Sequence, residues 1–170
     1  AASWTNKGRL NINGGDLYLG GSTTTTGLGL ARWNRTGGNV YLAGRLVNTG
    51  QNLDLAQTGS LILRGGTITG GQITPNGANP LVFTAWGGVI DGATLNGDVN
   101  LTDASAFVQF RNGGCTGSLF PGGECVSSSN TTDPRRISLW GYTGRNNTLS
   151  GVSILRGHDI YFYGPEIYSN

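Results

Sequence analysis

The chain has 170 residues, enough for one domain with a buried core, and a formal net charge of +2. Glycine supplies 31 residues, proline only 5, and charged residues 12 %, which excludes a collagen, a proline-rich linker and a charge-driven disordered chain. Arg135–Arg136 is the only adjacent basic pair, so there is no footprint for nucleic acid, and no run approaches the ~18 apolar residues of a membrane span.

At the N-terminus, Ala1-Ala2-Ser3 reads as the stub left by a signal peptidase, and the chain contains no Met; the expectation is a secreted protein. A repeat then takes over. Gly14-Gly15-Asp16-Leu17-Tyr18-Leu19-Gly20-Gly21 returns as Gly37-Gly38-Asn39-Val40-Tyr41-Leu42-Ala43-Gly44, 23 residues on (14 to 37), and as Thr58-Gly59-Ser60-Leu61-Ile62-Leu63-Arg64-Gly65, 21 further (37 to 58). A second phrase, Gly65-Gly66-Thr67-Ile68-Thr69-Gly70, recurs as Gly87-Gly88-Val89-Ile90-Asp91-Gly92, 22 residues later (65 to 87). Short stretches inside each period alternate apolar with polar, among them Leu10-Asn11-Ile12, Leu53-Asp54-Leu55 and Val99-Asn100-Leu101. That is the side-chain period of a strand. Gly, Asn and Asp separate them, as turns require. No window of ten or more residues carries an apolar stripe at helical spacing.

Strands this short bury little alone, but stacked at about 4.8 Å per layer each can pair with its equivalent one period away. The spacing therefore predicts a right-handed parallel β-helix (a β-solenoid) of seven or eight coils of about 22 residues, a rod roughly 35 Å long. An antiparallel sandwich also has short alternating strands, but needs no fixed period. The run GGNVYLAGRLVNTGQNLDLAQTGSLILRGGTITGGQITPNG, followed by GGVIDGATLNGDVNLT, resembles the degenerate β-helix repeats of filamentous-haemagglutinin-like and autotransporter-like secreted bacterial surface proteins. The resemblance covers about residues 10–104. It implies a parallel β-helix on a cell surface or in an extracellular assembly, and carries no catalytic residue.

Between about 107 and 134 the repeat fades, and this segment reads as an insertion protruding from a single domain that spans 1–170. It holds both cysteines, Cys115 and Cys125, in the Gly-rich stretch CTGSLFPGGEC. Two free thiols, a zinc site and a local disulfide are the alternatives. Zinc needs more ligands than the lone His158 offers, and a Cys115–Cys125 disulfide suits an oxidising compartment. Strand phrases resume at Ile137–Trp140, Val152–Leu155 and Asp159–Tyr163. The last 31 residues hold six of the fifteen aromatics, including Tyr161, Phe162, Tyr163 and Tyr168. These terminal coils, 135–170, supply either a thick core or a junction. A solenoid end exposes unpaired backbone groups, no terminal helix or charged cap is apparent, and an uncapped end can stack on the far end of another copy. The expectation is that Tyr161, Phe162, Tyr163 and Tyr168 meet Trp4 of a neighbouring molecule in that way.

Enzyme chemistry is not expected. Asn130-Thr131-Thr132-Asp133 and Arg156-Gly157-His158-Asp159 faintly resemble polygalacturonase motifs, but no Asp or Glu lies between Asp133 and His158, and hydrolysis needs clustered carboxylates. Asp91, Asp98 and Asp103 read as turn aspartates rather than a calcium site, and Gly14-Gly15-Asp16-Leu17 departs from the calcium-binding nonapeptide. No cofactor or metal is expected. Thr67, Thr69 and Thr74 raise ice binding, but one period on stand Val89, Asp91 and Leu95 or Asn96, which make no threonine ladder. Sequons begin at Asn34, Asn100, Asn130 and Asn146. The sequence thus points to an extracellular structural or adhesive solenoid that self-associates end to end. A carbohydrate-binding or carbohydrate-cleaving β-helix, with surface glycans as partner, is the alternative, and an ice-binding solenoid the second.

Overall fold

A computed structural model describes residues 2–96 and, beyond them, 99–100, 106–111, 114–116, 135–140, 148–150 and 158–163. The apolar-x-apolar triplets become strands of mostly three residues. In chain order come β1 (Leu10–Ile12), β2 (Leu17–Leu19) and β3 (Ser22–Thr24), then β4 (Trp33–Arg35), β5 (Val40–Leu42) and β6 (Arg45–Val47). Next are β7 (Asn52–Asp54), β8 (Leu61–Leu63), β9 (Thr67–Thr69), β10 (Gln72–Thr74), β11 (Leu81–Phe83) and β12 (Val89–Asp91). The series ends with β13 (Thr94–Leu95), β14 (Val99–Asn100), β15 (Phe107–Arg111), β16 (Gly114–Thr116), β17 (Arg135–Trp140), β18 (Thr148–Ser150) and β19 (His158–Tyr163).

These strands sort into three larger sheets and one pair. Sheet I contains β2, β5, β8, β11 and β14; sheet II contains β3, β6, β9, β12, β15, β17 and β19; sheet III contains β7, β10, β13, β16 and β18; β1 pairs with β4. Every strand pair is parallel, which sets the antiparallel sandwich aside. None of the sheets closes into a barrel. From β7 to β15 the chain visits sheets III, I and II in that order three times, and each such round is called a pass below. The register offset is 23 residues for Leu17 and Val40, and 22 for Thr67 and Val89. It narrows to 18 for Leu81 and Val99, then widens to 29 for Phe107 and Arg136 and 34 for Gly114 and Thr148.

The widening marks the lost repeat, but it starts later than the sequence suggested. Phe107–Arg111 and Gly114–Thr116 join sheets II and III rather than protruding. Alternation in Val108-Gln109-Phe110-Arg111 suffices for a strand without flanking glycine pairs. The part of the expected insertion from 117 to 134 lies outside the described residues, as does Val152–Leu155.

Two single α-helical turns, and a 3-10 turn over Leu30–Arg32, were not anticipated. Thr25–Leu28 (α1) follows Thr24, whose hydroxyl accepts the Gly27 N–H, and ends on Gly29 at φ 63°. Leu55–Thr58 (α2) follows Asp54, whose carboxylate accepts the Ala56 N–H. Both are ordinary N-caps, but four residues are too few to show helical periodicity. Leu55 therefore opens a helical turn instead of closing the strand read as Leu53-Asp54-Leu55.

Inward columns run across neighbouring strands. Leu42, Leu63 and Phe83 stack in sheet I, Leu46, Ile68 and Ile90 in sheet II, and Leu53, Ile73 and Leu95 in sheet III, all within 1 % of full burial. Burying such side chains contributes roughly 1.5–3 kcal/mol each. Outward side chains also pair from one layer to the next. Asn34 Nδ2 donates to Asn11 Oδ1 (3.3 Å), Thr36 Oγ1 to Asn13 Oδ1 (2.9 Å) and Thr74 Oγ1 to Asn52 Oδ1 (2.8 Å). Asn39 Nδ2 donates to Asp16 Oδ1 (3.0 Å) and Asn96 Nδ2 to Gln72 Oε1 (3.3 Å).

Arg35 closes the corner between α2 and β8. Its Nη1 donates to the carbonyls of Thr58 (3.1 Å) and Ser60 (2.8 Å), and its Nη2 to that of Gly38 (2.7 Å). Burial pushes its pKa below the ordinary arginine value, yet a guanidinium stays charged across the working pH range. Replacement by alanine is expected to cost about 2 kcal/mol, because three carbonyls lose a charged donor. Arg35→Lys, lacking the planar fork, should recover less than half of that loss in urea unfolding. A fully restored midpoint in the lysine variant would show that charge alone matters.

Candidate functional site

The sequence singled out residues near the two ends. Trp4 is half-buried against the core and its indole N–H donates to the Gly20 carbonyl at 2.7 Å. Around it, Ser3 bridges in parallel to Ser22, the Trp4 N–H donates to the Ser22 carbonyl and the Asn6 N–H to that of Gly27. The N-terminal segment thus lies along the outer edge of β3. At the other end, Tyr161, Phe162 and Tyr163 belong to β19, which pairs only with β17 among the described residues. Phe162 shares the register position of Leu139, Phe110 and the fully buried Ile90, whereas Tyr161 shares that of Ser138, Gln109 and Val89. Tyr168 lies outside the described residues.

Cys115 sits in a strand, β16, rather than a loop. It occupies the register position of Leu53, Ile73 and Leu95 before it and Leu149 after it. Cys125 is not among the described residues, so the expected Cys115–Cys125 disulfide lies outside them. Asn130–Asp133, Asp98 and Asp103 also fall outside them, while His158 opens β19 and Asp91 closes β12. Among the described residues no group of three or more His, Cys, Asp or Glu side chains could hold a metal ion. Thr67 and Thr69 stand in register with Arg45 and Val47 on one side and Val89 and Asp91 on the other, so neither belongs to a threonine column.

The most distinctive surface lies on the outer side of sheet I, which sequence reasoning passed over. Leu17-Tyr18-Leu19, Val40-Tyr41-Leu42, Leu61-Ile62-Leu63 and Leu81-Val82-Phe83 are apolar at all three positions. Since neighbouring side chains in a strand point to opposite faces, the middle residue of each must face out. The signal was therefore present: the triplets of sheets II and III, such as Thr67-Ile68-Thr69 and Gln72-Ile73-Thr74, put polar groups there. Register aligns Tyr18, Tyr41, Ile62 and Val82 into one outward column.

Aromatic contacts organise that column. The Tyr18 and Tyr41 rings stack with centroids 4.7 Å apart and planes 10° from parallel. The Arg64 guanidinium lies 5.5 Å from the Tyr18 ring centroid and 5.1 Å from that of Trp86, both within cation–π range. Trp86 is presented by a tight turn: Thr84 Oγ1 accepts the Trp86 N–H (3.2 Å) and the Thr84 carbonyl accepts the Gly87 N–H (2.8 Å). Tyr18 is 50 % and Trp86 66 % exposed, the two exposed large hydrophobic side chains among the described residues. Such a surface offers flat rings for apolar faces and, beside them, a planar cation.

No family model matches the chain, and neither the curated proteins nor the solved structures provide a match. Nothing in these comparisons ties it to the haemagglutinin-like or autotransporter-like proteins that its repeats resemble. No helix among the described residues is long and apolar enough to cross a membrane.

Proposed function

We propose that this chain is a right-handed parallel β-solenoid, secreted, that does structural or adhesive work outside the cell and extends by end-to-end stacking. The observation that carries the reading is the recurring order of three parallel sheets ending in β19, a strand of six residues that is an edge among the described residues. Strand-to-strand crossovers between parallel strands are right-handed in nearly all proteins, and the seven strands of sheet II correspond to seven coils. An edge strand leaves N–H and C=O groups that a second copy can pair with. Ser3 and Trp4 already lie along β3, the first strand of sheet II, so β19 of one copy would meet that N-terminal segment, Trp4 included, in the next. Head-to-tail contact of this kind does not close on itself and builds a filament. A Cys115–Cys125 disulfide would tie the stretch after β16 back to the rod.

Negative-stain electron microscopy of the purified chain at two concentrations tests this. Uniform fibres a few nanometres wide, more abundant at the higher concentration, are expected. Monodisperse short particles at both concentrations would remove the filament. The carbohydrate reading draws its support from a different feature, the outer face of sheet I.

A further inference from the structure

We infer that the outward column of sheet I is a binding platform for an acidic polysaccharide, with Trp86 and Tyr18 stacking on sugar rings and Arg64 pairing with a uronate carboxylate. Whether the solenoid assembles has no bearing on this site, which rests on the geometry of one chain.

The composition of the face selects the ligand. A pyranose presents an apolar face of C–H groups edged by hydroxyls, and a flat, partly exposed aromatic ring is the side chain that covers such a face without leaving polar groups unpaired. Tyr18 and Trp86 meet that need, and their rings are positioned before any ligand arrives: Tyr18 by its stack on Tyr41, Trp86 by its turn. Pre-positioned rings lose little freedom on binding. Arg64 adds a charge. Its guanidinium is held by the two rings and makes no side-chain hydrogen bond or ion pair among the described residues. Its in-plane N–H donors are thus available in the middle of the strip, where a planar fork matches a carboxylate with two parallel bonds. Asp16, the carboxylate just before β2, is engaged by Asn39 Nδ2 at 3.0 Å.

Other partners fit less well. The strip is one side chain wide and rises about 4.8 Å per strand, too narrow for the ~800 Å² that a standard protein interface buries on each side. A nucleic acid could stack its bases on these rings, but its affinity comes from several phosphate contacts and this strip has one cation.

The test uses the full chain and four polymers: polygalacturonate, neutral galactan, dextran sulfate and single-stranded DNA. Affinity electrophoresis and titration calorimetry should show binding to polygalacturonate at least tenfold tighter than to galactan. Trp86→Ala should weaken it tenfold or more, and Tyr18→Ala several-fold. Arg64→Lys, which keeps the charge but not the fork, should reduce the preference for polygalacturonate over galactan at least threefold. Trp86 is largely exposed, so its variant should melt within a few degrees of the wild type; Arg64→Lys keeps the inference testable if it does not. Equal binding to galactan and polygalacturonate, binding only to dextran sulfate or DNA, no binding to any polymer, or variants that bind as the wild type would each overturn the inference.

Discussion

Asn48→Asp, a change of one atom, is expected to remove about 3 kcal/mol or more of stability at neutral pH. Asn48 is fully buried and joins three successive layers of the chain. Its Oδ1 accepts the Thr25 hydroxyl at 2.7 Å, while its Nδ2 donates to the carbonyls of Gly70 at 3.2 Å and Gln72 at 2.6 Å. In the aspartate the donor becomes an oxygen facing two carbonyl oxygens. The new carboxyl either stays protonated or buries a charge, and both are costly. Its folded pKa is therefore raised above the unfolded value of about 3.9. For a raised acid the destabilisation is smallest below the unfolded pKa and grows as pH rises toward the folded one. The gap between wild type and variant should accordingly narrow near pH 3.5 and widen toward pH 7 in urea titrations. Asn48→Ala should cost a similar amount without that pH dependence, since each buried group left unpaired costs roughly 1–3 kcal/mol. A loss under 1 kcal/mol in the alanine variant would mean that water replaces the amide.

Gly66→Ala should be nearly as damaging, at about 3 kcal/mol, through crowding rather than lost bonds. Gly21, Gly44, Gly66 and Gly88 stand one above another at the bend between sheets I and II. The N–H groups of Arg45, Thr67, Val89 and Gln109 donate to the carbonyls of these glycines in turn. A Cβ on Gly66 would run into the Leu42 carbonyl oxygen and come within 2.8 Å of its carbon and of Leu42 Cγ. Backbone cannot yield there without shifting sheet I. Gly15→Ala is the matched control, because a Cβ at that turn meets nothing within 4 Å. It should change stability by less than about 1 kcal/mol, with any gain coming from the unfolded chain. If the two alanine variants melt together, the bend has slack that the close contacts do not suggest.

Much of the architecture was legible because it is periodic. The recurrence of Gly14–Gly21 at 37–44 is the register by which Leu17-Tyr18-Leu19 pairs with Val40-Tyr41-Leu42, and Thr67-Ile68-Thr69 meets Val89-Ile90-Asp91 at the spacing of the second phrase. Features without a period were missed. Thr25–Leu28 and Leu55–Thr58 are set by a capping side chain and a following turn, a signal that four residues cannot turn into a stripe. Asn48 looked like any turn asparagine, since burial depends on what lies above and below it. Attention to aromatic clustering in the last coils drew the candidate site away from Tyr18, Tyr41 and Trp86, which are far apart in sequence and adjacent only through register. The all-apolar triplets of sheet I held that information in plain form: a strand with three apolar residues in a row has to show one of them to solvent.

The polar pairs that link layer to layer on the outside carry a further consequence. Asn11 with Asn34, Asn13 with Thr36, Asn52 with Thr74 and Gln72 with Asn96 are dipole-to-dipole bonds between neutral groups, and of the five outward pairs described only Asn39 with Asp16 involves a charge. Ionic screening, which at 0.1 M salt largely removes interactions between exposed charges more than about 10 Å apart and damps closer ones as salt rises, has little to act on here. A shell fastened in this way should keep the same melting temperature in dilute buffer and in molar sodium chloride, making the molecule indifferent to the salinity of its surroundings.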